Sequence, residues 1–380
     1  MSKKKLIYLV AGEPSGDFLG SEIISNLVNS NSSLKFDGVG GTLMQNHNFK
    51  SIFPMSDLSI MGILPVLLRI NKLLKRINQV TDDIMNKKPD LVILIDSPDF
   101  NHRVAKKLKK KSFCSPIICY VAPTVWAWRQ NRAKSMSKNF DHLFSLLPFE
   151  RDFFIKHGLE TTYVGHPVIS KLNNLEKKDS FRENYNLEKK PVLIFLPGSR
   201  QSEIRRHIKP FREAYIEIKK KIPDLVLAIP TEEKNYRFMK EQFNNSLVIT
   251  DERDKFLLFR EANVACAASG TVTLELGLSL IPMVVIYKLD FLTWSIVSRL
   301  AKVRFISLIN LVLNKKSVQE LVQNDYNKKN VVKSVLDLFF DKNVFEDQIS
   351  DLKKFKEIIE GDNKNPSEVA ANKILEYLKN

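Results

Sequence analysis

Residues 264–275 read VACAASGTVTLE, an apolar run broken at Ser269-Gly270-Thr271 and followed by a helical pattern from Val272. That order predicts a strand, a tight turn and a helix whose N-terminus points out of a sheet. The first backbone N–H groups of such a helix have no intrahelical partner and carry partial positive charge, so they suit a phosphate. Glu275 lies one turn deeper on the face of Thr271, where a carboxylate can accept hydrogen bonds from both hydroxyls of a ribose. A second turn of this kind is Leu196-Pro197-Gly198-Ser199-Arg200. There Gly198 and Ser199 open a helix, and Arg200 can neutralise charge on a departing diphosphate more strongly than an amide can. One such turn is an ordinary α/β connection. Two in the same half of the chain point to a nucleotide-diphosphate site.

The other half carries acids. AGEPSGDFLG, residues 11–20, follows an apolar run, and its spacing matches neither the dinucleotide fingerprint nor the phosphate loop ending in Gly-Lys-Ser/Thr. Ser15 and Asp17 can cap the next helix, with Gly16 between them, but capping leaves Glu13 unexplained, so the loop is read as a ligand site. Asp96 comes directly after the apolar run LVILI, where a carboxylate can take a proton from a substrate hydroxyl. Asp99 or Ser97 reads as the cap of the following helix. Residues 120–129, YVAPTVWAWR, set two of the three Trp and an Arg in one loop, as a platform for a sugar or as core anchors. There is no Asp-x-Asp, no H-E-x-x-H and no paired Cys, and the six His are scattered, so no metal and no cofactor are expected.

These loops need elements to hold them. Short runs at 6–10, 91–95, 117–121 and 143–147, then at 192–196, 225–229, 247–250, 264–268 and 282–287, alternate with helical segments. That alternation predicts parallel sheets covered on both faces. The fold class is α/β: two doubly wound Rossmann-like domains facing a cleft, with ligands beyond the carboxyl ends of the strands. The expected division is 1–168, 169–345 and a helical tail over 346–380, with the polar stretch 165–190 as the crossover. At 380 residues, 44% hydrophobic and 27% charged, the chain is globular and long enough for two cores. Three Cys without metal or disulfide spacing fit a reduced, cytoplasmic compartment.

A formal charge of +16 implies a polyanionic partner, although a Lys- and Asn-rich composition accounts for part of it. No run approaches the roughly 20 apolar residues of a spanning helix. The N-terminal apolar run is too short for a signal peptide and reads as the first strand. Residues 58–77 and 291–305 combine apolar residues at helical spacing, or interfacial aromatics, with cations. They are read as peripheral contacts to an anionic membrane surface, against the competing reading of stripes buried in the protein.

In this order and spacing, AGEPSGD (11–17), Met61-Gly62, DSPDFN (96–101), YVAPTVWAWR, LPFE (147–150), YVGHP (163–167), LPGSR (196–200), ASGTVTLE (268–275), PMVVIY (282–287) and the 307–323 region resemble the lipid-A-disaccharide synthases. These are inverting sugar-nucleotide transferases of the glycosyltransferase-B type. The resemblance implies transfer of a diacylated glucosamine from its UDP derivative to the 6-hydroxyl of diacylglucosamine 1-phosphate (lipid X), in lipid A biosynthesis for the Gram-negative outer membrane. A β-1,6-linked disaccharide 1-phosphate forms and UDP leaves. Residue by residue, it implies Asp96 as general base, with Gly198, Ser199, Arg200, Ser269, Gly270, Thr271 and Glu275 holding UDP. Glu13, Ser15, Gly16, Asp17, Asp99, Asn310, Glu320 and Gln323 would line the cleft. The N-terminal domain would bind acceptor and face the cytoplasmic side of the inner membrane; the C-terminal domain would bind the donor. A homodimer is compatible with this. Where relatives often carry Pro-Asn and Ala-Gly-Arg, this chain has Ile309-Asn310 and Leu313-Asn314-Lys315.

Another UDP-N-acetylglucosamine enzyme of this type, a peptidoglycan-precursor transferase or a 2-epimerase, is the alternative, and an epimerase needs no membrane. Nucleic acid is not an expected partner, because the aromatics cluster in a few loops instead of interleaving with basic residues along a groove.

Overall fold

Every side chain of the strand Leu91–Ile95 is fully buried. A continuous aliphatic run of this kind is stable only where a sheet is covered on both faces, and each fully buried side chain contributes about 1.5–3 kcal/mol. The computed structural model describes residues 4–58, 70–127, 131–173, 175, 181–300, 303–361 and 365–379. The chain divides into two compact units, Met1–Pro167 with Gly361–Asn380, and Val168–Glu360.

The first unit holds a seven-stranded sheet of β1 (Leu6–Ala11), β2 (Lys35–Val39), β3 (Lys50–Ser51), β4 (Leu91–Ile95), β5 (Ile117–Tyr120), β6 (His142–Ser145) and β7 (Thr161–Tyr163). All neighbours are parallel, in the order β3-β2-β1-β4-β5-β6-β7. The second unit holds a six-stranded sheet of β8 (Val192–Leu196), β9 (Val226–Pro230), β10 (Leu247–Ile249), β11 (Val264–Ala268), β12 (Met283–Tyr287) and β13 (Gln319–Val322). Its order is β10-β9-β8-β11-β12-β13, again all parallel. In each sheet the strand order reverses once, between β1 and β4 and between β8 and β11. Connections leave such a point toward opposite sides and open a crevice beyond the carboxyl ends of the two strands.

β2, β3, β7 and β13 had no apolar run to announce them. Each carries polar residues, as in KFDGV and QELV, and three of the four are edge strands, where one side of the ladder has no partner to cover. The tail expected over 346–380 is not a separate body. The helix Lys342–Glu360 buries Leu352, Phe355 and Ile359 in the second unit, whereas Pro366–Lys379 puts Ala370, Ala371, Ile374 and Leu378 into the core of the first, with Ile7, Leu9 and Ile23. Helical period shows that a face is apolar and not which sheet it covers. Residues 165–190 are not a bare crossover either. Phe181 and Leu187 are buried, and Arg182 pairs with Glu261 at 3.0 Å within the second unit.

Of the membrane-facing segments, residues 59–69, which include Met61-Gly62, lie outside the described residues. The helix Ile70–Lys87 buries Ile77, Val80 and Ile84 and leaves Ile70 and Leu74 exposed, while Lys72 and Arg76 both pair with Asp57. The second segment forms the helix Phe291–Leu300, several side chains of which, like residues 301–302, lie outside the described set. Among the described residues no helix is long and apolar enough to cross a membrane.

Candidate functional site

In the first unit Ala11 pairs with Ile95, so the chain leaves β1 and β4 side by side, at Gly12 and Asp96. Asp96 and Ser97 both take left-handed backbone conformations, φ 54° and 40°. For residues other than glycine such a pair costs about 1–3 kcal/mol each and persists only when the surroundings hold it. Here the Asp96 N–H donates to the Tyr120 carbonyl at 2.9 Å, the Asn101 N–H to the Ser97 carbonyl at 3.0 Å, and the Asn101 side-chain amide to the Asp96 carbonyl. The kink presents the Asp96 carboxylate to two donors, the Ser97 N–H at 3.0 Å and the Ser15 hydroxyl at 2.6 Å. Glu13 is alongside. Burial holds its carboxyl above the usual carboxylate range, and the charge of Asp96 raises it further.

Gly12 makes this approach feasible, since a Cβ there would lie 2.1 Å from Ser97 Oγ. Gly12→Ala is expected to lower stability by about 1–3 kcal/mol through overpacking and to slow turnover by displacing Asp96. Denaturant unfolding and kcat measured on one preparation check both effects.

The structure brings Glu13, Ser15 and Asp96 together and separates the others expected beside them. Asp17 is buried, and its carboxylate accepts the N–H groups of Gly41, Leu43 and Met44 at 2.8, 3.0 and 3.2 Å, closing the helix Thr42–Gln45. Asp17 is therefore scaffold, because a side chain saturated by its own backbone has little left for a ligand. Neither Ser15 nor Asp17 caps the helix Pro14–Ser30, which begins at Pro14 with Glu13 in the capping position through its backbone alone. Gly16 is buried in the first turn of that helix. Asp99 is 80% exposed and pairs with Arg132 at 2.8 Å. The Trp126 side chain, Trp128 and Arg129 lie outside the described residues.

In the second unit Ala267 pairs with Leu196, which sets the two glycine-serine turns side by side beyond β8 and β11. A pocket of about 430 Å³ opens there, lined by Gly198, Ser199, Ser269, Gly270, Thr271 and Glu275. Gly198 sits at φ 109°, a conformation that favours glycine. Gly270 and Thr271 begin the helix Thr271–Leu278, and Glu275 lies one turn in, at 15% side-chain exposure. The Arg200 side chain is 68% exposed, pairs with Glu203 at 3.3 Å and is not part of the pocket lining. The turn after β8 is tied down from below by His207, fully buried. Its Nδ1 donates to the Pro197 carbonyl at 2.7 Å while Nε2 accepts the Lys288 N–H at 3.1 Å, a tautomer assigned from those partners. Burial holds this imidazole below its usual range, in keeping with a neutral ring.

Asn310, Glu320 and Gln323, expected to line the cleft, accept or donate hydrogen bonds that hold backbone in the second unit. Asn310 is fully buried and bonds Ser317, Val318 and Glu320. Glu320 accepts the Ile306 and Ser307 N–H groups, the Ser307 hydroxyl and the Asn310 amide. Gln323 accepts the Leu289 N–H at 3.2 Å. The segment before Leu308 is irregular, and its buried polar groups need side-chain partners that a regular element would have supplied. The Ile306 carbonyl in turn receives the Ser269 hydroxyl at 2.6 Å, so this network braces the turn after β11 from behind.

Residues missed in the sequence also line the pocket: Thr231, Asn235, Thr250, Asp251 and Lys255. The first four lie at or shortly after the carboxyl ends of β9 and β10, which the strand-end rule could have flagged, whereas Lys255 lies within the next helix, Glu252–Glu261. Among the described residues no cluster of His, Cys, Asp or Glu side chains forms a metal-ligand set.

Two doubly wound parallel sheets, each with its polar residues gathered at a strand-order reversal, define an α/β protein of the glycosyltransferase-B fold. The UDP-GlcNAc 2-epimerase of Neisseria meningitidis, solved bound to UDP-GlcNAc, superposes over all of both chains with a TM-score of 0.64 at 14% identity, a likeness of fold alone. A sequence profile of the lipid-A-disaccharide synthetase family matches residues 7–374. The lipid-A-disaccharide synthase of Rhodospirillum centenum is 35% identical over 99% of this chain and 95% of its own. That of Rickettsia akari is 36% identical over 96% and 94%. The chain belongs to the lipid-A-disaccharide synthetase family.

Proposed function

We propose that this chain joins a UDP-linked 2,3-diacylglucosamine to the 6-hydroxyl of 2,3-diacylglucosamine 1-phosphate, releasing UDP. The observation that carries the reading is the pocket at the β8/β11 reversal, where two helix-opening turns meet a carboxylate one turn deeper. The diphosphate takes the free N–H groups at Gly198–Ser199 and Gly270–Thr271, and Glu275 takes the ribose. Asp96 removes the acceptor proton as the hydroxyl oxygen attacks the anomeric carbon. The bond from that carbon to the diphosphate oxygen breaks, and UDP carries the electron pair away. Attack opposite the leaving group inverts the centre, with no sugar–enzyme bond at any stage. Ser15 orients Asp96 through its hydroxyl, and Glu13 supplies a second, less acidic carboxyl beside it. The exposed Ile70 and Leu74, with Lys75 exposed next to them, support peripheral contact with an anionic membrane.

The test is an assay with both acylated substrates, following disaccharide phosphate and UDP in equal amounts. Arg200, free to swing from Glu203, is assigned to the leaving diphosphate. Arg200→Ala is expected to lower kcat by about 10²–10³, the usual loss when one donor to developing charge is removed. Calorimetry with UDP is expected to find the nucleotide still bound; an unchanged kcat would remove Arg200 from the reaction.

A further inference from the structure

Five carboxylates line the pocket, those of Glu203, Glu232, Asp251, Glu252 and Glu275, yet the proposed ligand is a diphosphate. Among the described residues Lys255 is the only cation in that lining. It stands on the helix Glu252–Glu261, and its Nζ lies 2.9 Å from Glu275 Oε2 and 4.5 Å from the Phe256 ring centre. The two side chains are 22% and 15% exposed, so water screens this pair far less than one on the open surface. The ammonium thus has three fixed neighbours, the rings of Phe256 and, at 5.8 Å, Phe259, and one carboxylate oxygen.

We propose that Lys255 is the positioning residue for nucleotide recognition: it holds the Glu275 carboxylate in the rotamer that accepts the ribose hydroxyls and makes the pocket select ribonucleotides over deoxyribonucleotides. This rests on the reading that Glu275 takes the ribose. A carboxylate has about four acceptor sites, and the Lys255 contact fills one, leaving Oε1 and the second lone pair of Oε2 for a vicinal diol. Without the ammonium, Glu275 loses its one cationic partner, while Glu203 and Glu252 keep theirs, Arg200 and Lys171, and nothing in the described lining then holds its carboxylate against turning toward solvent. Lys255 need not touch the nucleotide for this, so it acts through Glu275.

Calorimetric titration of UDP and 2′-deoxy-UDP into the full-length protein and its variants tests the idea. Wild type is expected to prefer UDP by about tenfold or more, the value of one hydrogen bond to a charged group. Lys255→Met, and Lys255→Gln as a second neutral side chain, are expected to shrink that preference to about threefold or less, and Lys255→Arg to keep it. In a Glu275→Gln background, Lys255→Met is expected to leave the preference where it already stands. Thermal unfolding of each variant confirms that it is folded. A neutral variant that weakens both nucleotides in equal proportion would reduce Lys255 to bulk charge and overturn the proposal. So would Lys255→Arg behaving like Lys255→Met, since packing at 255 would then be what matters. A wild type that binds UDP without any preference would overturn the ribose reading of Glu275 itself, a separate and distinguishable failure.

Discussion

Asp96→Asn is expected to lower kcat by about 10²–10⁴, the range for loss of a positioned general base, while UDP affinity stays within about threefold. Asparagine is the informative replacement. It is one of the few residues that tolerate the left-handed backbone of position 96, and its side-chain oxygen can still accept from Ser15 or from the Ser97 N–H. The kink, the hydrogen bonds of Asn101 and the fold are then left in place, and only proton acceptance is lost. Glu13 offers an internal check. Its carboxyl is held up first by burial and then by the charge of Asp96, so in Asp96→Asn the second contribution disappears and Glu13 becomes more acidic. Residual activity carried by Glu13 would therefore persist to lower pH in the variant than expected for a carboxyl raised by both causes. Turnover near wild type in Asp96→Asn would move the base to Glu13, and Glu13→Gln would then carry the large loss.

The residues that were legible in the sequence are those whose position is set by a strand end. LVILI before Asp96 and VACAA before Ser269 are buried runs that announce themselves, and a doubly wound sheet delivers the next few residues of the chain into a crevice. The destination of polar side chains was concealed. Asp17 sits in the same motif as Ser15, and Asn310 and Glu320 follow the same alternation of helix and strand as the segments that line the pocket. An acid that binds a ligand and an acid that closes a helix look alike until the competing donors are placed. Lys255 was hidden for the converse reason, because it belongs to a helix twenty positions from its partner and to no motif. The tail failed differently, its apolar period being plain while its division between two cores was not.

Glu320→Ala separates scaffold from ligand most sharply. The substitution strips the acceptor from two backbone N–H groups, at Ile306 and Ser307, and from the amide of the fully buried Asn310. Each buried donor left without a partner costs about 1–3 kcal/mol, so a loss of about 3–5 kcal/mol in unfolding free energy is expected. Glu320→Gln keeps the size of the side chain and one accepting oxygen but turns a donor toward donors, and it should fall between. The effect on binding runs through Ser269, whose hydroxyl rests on the Ile306 carbonyl. When residues 306–307 shift, the turn that offers its N–H groups to the diphosphate loses its brace, and UDP affinity falls although Glu320 never meets the nucleotide. A residue that touched the ligand would show the opposite pattern, with stability intact and kcat/KM reduced. Urea unfolding monitored by tryptophan fluorescence, paired with UDP titration, therefore tells a brace from a contact, and with it whether a resemblance carried over by position also carries the role.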